Sequence, residues 1–140
     1  MAMEGLGRLF NVVPVAQGVS VSLKEASGVT FLIYGAAEAF TLSSSATAAG
    51  SQANLATIDR YQLSASDAGA DAWTEQTQAA GDSITLAAAG DAAAVYVDAG
   101  DLPAGAEYVR MTHTTSGLVI AILHDLRREV AAEYLAAPAV

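Results

Sequence analysis

The sequence predicts an all-β fold: an antiparallel β-sandwich or partly closed barrel, jelly-roll or Ig-like, with an arm at each end. Three observations carry this. Apolar and polar residues alternate with period two through most of the chain, as expected of strands with one face on a core. The turns Gly81-Asp82, Gly90-Asp91 and Gly100-Asp101 interrupt these runs at the short intervals typical of sandwiches and barrels. The 140 residues, 53% of them hydrophobic, suit a single domain with one ordinary core. The chain has no cysteine, so no disulfide framework substitutes for that core.

Taken in order, residues 1–14 carry Leu6, Leu9, Phe10, Val12 and Val13 ahead of Pro14. They read as an N-terminal arm entering an edge strand, where proline is tolerated. Val19, Val21 and Leu23 then alternate with Ser20, Ser22 and Lys24. After the turn Glu25-Ala26-Ser27-Gly28, Val29, Phe31 and Ile33 alternate with Thr30, Leu32 and Tyr34, so residues 19–34 read as a hairpin. Phe40 and Leu42 lead into a Ser/Thr/Ala stretch ending at Gly50, and residues 50–58 form a helical turn or a connection across one end. A further alternation over 58–63 leaves its facing ambiguous. Short strands follow at 73–77, 83–87 and 94–98, and the segments 107–114 and 118–123 pair around Thr115-Ser116-Gly117. The expectation is seven to nine strands in a domain spanning 15–124, with Val21, Phe31, Ile33, Leu86, Val97, Val109 and Ile120 in its core. Residues 125–140 change period: Leu126, Val130 and Tyr134 fall at i, i+4 and i+8, with Leu135 beside them and Arg127, Arg128 and Glu129 elsewhere on the wheel. This tail either packs on its own sandwich or docks on a neighbouring subunit.

Charge and motifs narrow the function classes. A net charge of −9, with one lysine and five arginines, opposes nucleic acid as the main partner. The N-terminus has no apolar signal core, and the most apolar stretch, 117–123, is far below the ~20 residues of a membrane helix. A soluble chain made in the cytoplasm, without membrane contact, is expected. His113 and His124, placed on strands paired across the 115–117 turn, lie about five rungs apart, too far for a shared metal. No serine sits in a nucleophile elbow, and no glycine-rich phosphate loop occurs. Asp98, Asp101 and Glu107, or Asp67 and Asp71, could supply a weak calcium site, but turn propensity already accounts for aspartate there. Trp73 reads as core or inter-sheet packing, because a sugar-binding face calls for several exposed aromatics. No cofactor and no enzymatic activity are expected.

Four stretches then carry a resemblance: 29–35 followed by the Thr/Ser/Ala-rich strand, Ala70-Asp71-Ala72-Trp73-Thr74, 82–87 leading into 94–98, and 101–110 ahead of the apolar run 117–123 and an Arg-containing tail. Over residues ~19–128 this order resembles small β-sandwich virion proteins from the head gene clusters of tailed phages, especially phages of GC-rich actinobacteria. The resemblance implies a non-enzymatic decoration or minor capsid protein on the outer surface of the virion, with the major capsid protein as partner. It implies less directly a head–tail or tail component, and a carbohydrate-binding or adhesin-like sandwich is a further alternative. Self-association, as a trimer or otherwise a dimer, is expected from the apolar termini. Interface candidates are Leu6, Leu9, Phe10, Val12 and Val13 at one end and Leu126, Arg127, Arg128, Val130, Tyr134 and Leu135 at the other.

Overall fold

The computed structural model describes residues 10–125. Within them the chain forms β1 (Phe10–Val15), β2 (Val21–Ser22), β3 (Gly28–Tyr34), β4 (Ala39–Ser45), β5 (Ala53–Asn54) and β6 (Ile58–Ser64). β7 (Thr74–Gly81), β8 (Ser83–Thr85), β9 (Ala92–Asp98), β10 (Tyr108–Thr112) and β11 (Leu118–His124) complete the series. All the strand pairs are antiparallel. One sheet runs β1-β11-β3-β9-β6-β7, and the other runs β2-β10-β4-β5 with β8 also on β4. The sheets face each other as an open sandwich, so the partly closed barrel does not occur.

The order of the strands is informative. Without β5, β6 and β7, the remaining strands alternate between the sheets as β1-β11-β3-β9 and β2-β10-β4-β8. This is the double Greek key of an eight-stranded jelly roll. The segment β5–β7 is therefore an insertion between β4 and β8 that extends the larger sheet beyond β9.

Alternation explains the core. Phe31 and Ile33 of β3, Val95 and Val97 of β9, Val119 and Ala121 of β11, and Val13 and Val15 of β1 all point inward. They meet Val21, Phe40, Leu42, Ile84, Val109 and Met111 from the smaller sheet. Six of the seven predicted core residues are buried there. Ile120 is the correction: it is half-buried on the outer face, opposite Leu32 and Pro14, while its neighbours Val119 and Ala121 fill the interior.

Both predicted hairpins are also corrected. β2 pairs with β10 and β3 with β11 and β9, so residues 23–27 cross from one sheet to the other. The crossing is pinned at both ends, with Leu23 N donating to Glu107 O at 2.8 Å and Ser27 N to His124 O at 3.0 Å. Residues 113–117 likewise carry the chain from β10 in the smaller sheet to β11 in the larger. Period two tells which side chains share a face, but a four- or five-residue corner between sheets has the same length as a hairpin turn. The 50–58 connection holds β5 and the buried Leu55.

Candidate functional site

The most densely bonded polar group in the interior is Glu38, in the turn between β3 and β4. Its Oε2 accepts from Thr114 N at 2.8 Å, Thr115 N at 2.7 Å and Thr114 Oγ1 at 3.2 Å, and its Oε1 accepts from Gly117 N at 2.7 Å. Burial pushes its pKa up, but these backbone donors outweigh it and hold the carboxyl at about 2 against an ordinary 4.5. His113 Nδ1 lies 3.4 Å from Oε1 without hydrogen-bond geometry, and its ring packs 5.4 Å from that of Phe40. A Cβ on Gly117 would come within 2.5 Å of both Glu38 Oε1 and the Phe40 ring, so glycine is required at this point. The carboxylate is thus spent on the corner between the sheets. Its donors are the backbone of one turn, which makes it a structural clasp and not an open acid–base pair.

The two outer faces of the sandwich differ sharply. On the smaller sheet, Ser22, Thr41, Thr85, Tyr108, Arg110 and Thr112 alternate with the core residues, and Arg110 Nε donates to Ser20 Oγ at 3.2 Å. That face is suited to water. On the larger sheet the outward rows of four strands are apolar, Val12 and Pro14 (β1), Leu118, Ile120 and Ile122 (β11), Leu32 and Tyr34 (β3), and Ala94 and Tyr96 (β9), while β6 and β7 add the polar Arg60, Gln62, Glu75 and Thr77. Val12, Leu118 and Tyr96 are about half exposed (48, 52 and 51%). The central strands β3 and β11 are therefore apolar on both faces, the pattern of a sheet covered on both sides. At the far edge of this face polar groups return: Thr30 Oγ1 lies 2.7 Å from His124 Nε2, and Asp98 caps the short 3₁₀ turn Ala99–Asp101 by accepting from Gly100 N at 2.7 Å.

Where the insertion joins the jelly roll, the loop between β6 and β7 folds beside this face. Ser64 Oγ donates to Ser66 O and Asp71 O, and Ser66 Oγ accepts from Ala68 N and Ala70 N. Asp67 N, which donates to Gly90 O at 2.7 Å, ties the loop to the turn before β9. The result is a groove of about 300 Å³ lined by Leu32, Tyr34, Asp67, Asp71 and Trp73, among others. Trp73 is 48% exposed, so its predicted place in the core or between the sheets is corrected.

Of the predicted interface residues, Val12 lies on the apolar outer face, whereas Val13, 2% exposed, belongs to the protein's own core. Phe10 falls in β1, so the sheet begins inside the segment read as an arm. Leu6, Leu9, Leu126, Arg127, Arg128, Val130, Tyr134 and Leu135 lie outside the described residues. Among the described residues, no three His, Asp or Glu side chains are grouped to hold a metal ion, and no helix is long and apolar enough to cross a membrane. Residue-level reading missed Glu38 and the outer face. The second had a signal, since residues 29–34 and 118–123 are apolar at both parities. No family model, curated protein or solved structure matches the chain.

Proposed function

We propose that this protein is a non-enzymatic virion component that binds the outside of an assembled phage capsid through the apolar face of its larger sheet and stabilises the shell. The observation that carries the reading is the asymmetry of the sandwich: apart from Tyr108, the outer face of the smaller sheet is made of Ser, Thr and Arg, whereas strands β1, β11, β3 and β9 of the larger sheet present mainly Val, Leu, Ile and Tyr. A protein attached by one side and wetted on the other needs this division. The jelly-roll order adds an analogy, since viral capsid domains use it, as do lectins and cupins. The net charge of −9 suits a position away from packaged DNA.

Magnitude favours a lattice partner. Four strands about 4.8 Å apart and about 20 Å long present roughly 400 Å² of face. That is within the range of exposed patches that serve a function, yet about half of what each partner buries in a stable pairwise complex. Binding to one isolated subunit is accordingly weak. Binding at many equivalent sites on an assembled shell stabilises that shell by mass action, because free subunits do not offer the same site.

The test compares virions assembled with the chain and with its Leu118→Glu variant. The wild type sediments with particles at a copy number matching the capsid lattice, whereas Leu118→Glu is at least tenfold depleted from them while keeping its denaturation midpoint. Particles without the protein release DNA at lower temperature. Absence of the wild type from particles, or full retention of Leu118→Glu, overturns the reading. A stable dimer in solution, broken by the same substitution, reassigns the face to self-association.

A further inference from the structure

The groove beside Trp73 is not explained by the packing of the sandwich, and it borders the face proposed to bind the shell. We infer that it receives an arginine side chain from the partner surface; this rests on the proposed mode of attachment and names the chemistry of its anchor. Two independent features meet there. The first is aromatic: the half-exposed Trp73 ring and Tyr34 line the groove together with Leu32. The second is charge: Asp67 and Asp71 line it too, and none of its lining residues is basic. Among the described residues the ion pairs are Arg60–Asp59 and His113–Glu38, so neither groove carboxylate is neutralised there.

A guanidinium answers both features at once. Its flat face stacks on an indole, and its edge offers paired N–H donors to a carboxylate, which the compact ammonium of lysine cannot do. The volume, about 300 Å³, is at the small end for ligand sites and accommodates one long side chain. The placement also fits the anatomy of interfaces, in which an anchor residue fills a pocket next to an apolar centre. The insertion β5–β7 supplies Asp67, Asp71 and Trp73, while the jelly roll supplies Leu32 and Tyr34. The groove therefore exists only because the insertion is present.

Trp73 is the sole tryptophan, so its fluorescence reports this site alone. Purified full-length protein is titrated with N-acetyl-arginine amide, with the neutral isostere N-acetyl-citrulline amide, and with N-acetylglucosamine. The arginine amide is expected to shift the emission with a millimolar midpoint, at least fivefold tighter than the citrulline compound, and to weaken as salt rises. Asp67→Asn/Asp71→Asn, with an unchanged denaturation midpoint, is expected to lose that preference. Equal response to arginine and citrulline, or no response to arginine up to 100-fold above 1 mM, overturns the inference. Preferential binding of N-acetylglucosamine also overturns it, making the groove a saccharide site. If the double variant remains on particles as fully as the wild type, the arginine anchor fails while the shell reading stands. If the wild type never associates with particles, the shell reading fails independently of the fluorescence result.

Discussion

Replacing Glu38 by Ala should destabilise the protein more than any surface change, and the structure sets the scale. Three backbone N–H groups, on Thr114, Thr115 and Gly117, lose their acceptor at once, and Glu38 itself is 8% exposed. An unsatisfied buried donor costs about 1–3 kcal/mol, and a bond to a charged group contributes about 1.5–3 kcal/mol. Water can reach part of a turn at the end of a sandwich, so the three losses should not add fully, and about 3–5 kcal/mol is expected. The assay is urea unfolding at pH 7, read as a shift in midpoint at constant slope. A loss under about 1 kcal/mol would mean that the corner between the sheets holds without the carboxylate, and the clasp account would be wrong.

The same residue predicts a pH signature that separates charge from shape. Its folded pKa, about 2, lies below the ordinary 4.5, so the folded state binds the proton less readily than the unfolded state. Its contribution is complete above pH 4.5 and is lost as pH falls through the interval down to about 2. The gap corresponds to about 3 kcal/mol as an upper figure. Glu38→Gln keeps the volume but not the charge, so the difference in stability between wild type and variant should shrink across that interval. Subtracting the two curves removes the other carboxylates, which titrate in both proteins. A difference that stays constant from pH 6 to pH 2 would refute the assignment.

Core and outer-face substitutions should differ in scale although the residues are of similar type. Phe31→Ala, at a fully buried position between the sheets, should cost about 3–5 kcal/mol by urea midpoint. Ile120→Ala, on the half-buried outer face of the same sheet, should cost no more than about 1–2 kcal/mol, because no second layer of the described residues closes over it. Equal losses would place Ile120 in the core after all.

How much of this was legible depends on what period two encodes. Where only one parity is apolar, as over 19–24, the facing of Val21 followed directly. Over 118–123 both parities are apolar, so alternation supplies no phase, and register with β3 and β1 decides that Val119 and Ala121 go in and Ile120 out. The strand partners were not legible for a different reason. The corner at 23–27 and the corner at 113–117 are as short as hairpin turns, and only pairing with distant segments distinguishes them. Glu38 was invisible because its donors lie 76 to 79 positions further along the chain. Trp73 looked like core because a lone aromatic usually is, while its exposure follows from a loop organised by Ser64 and Ser66 hydroxyls.

The insertion should also behave as a separate unit of stability. β3 is paired over all seven of its residues with both β9 and β11, whereas β6 joins β9 only through Gln62, Leu63 and Ser64. β7 is the far edge, with mostly polar and exposed side chains, and the β6–β7 ladder is broken by a bulge between Ile58 and Arg60. Fewer ladder bonds into the jelly roll and less buried apolar surface mean a lower free energy for local opening. Native-state hydrogen exchange should therefore show β6 and β7 amides exchanging at least tenfold faster than those of β3, β9 and β11, with Leu55 and Ile58 anchoring the slow end of the insertion through their burial. Exchange at one common rate across β3 and β6 would show that the insertion opens only with the whole sandwich. A local opening ties the fold to the groove, since Asp67, Asp71 and Trp73 sit on the piece that opens first. Occupation of the groove by an arginine amide should then slow exchange in β6 and β7 selectively, because a ligand bridging the insertion and β3 stabilises the closed state against the open one.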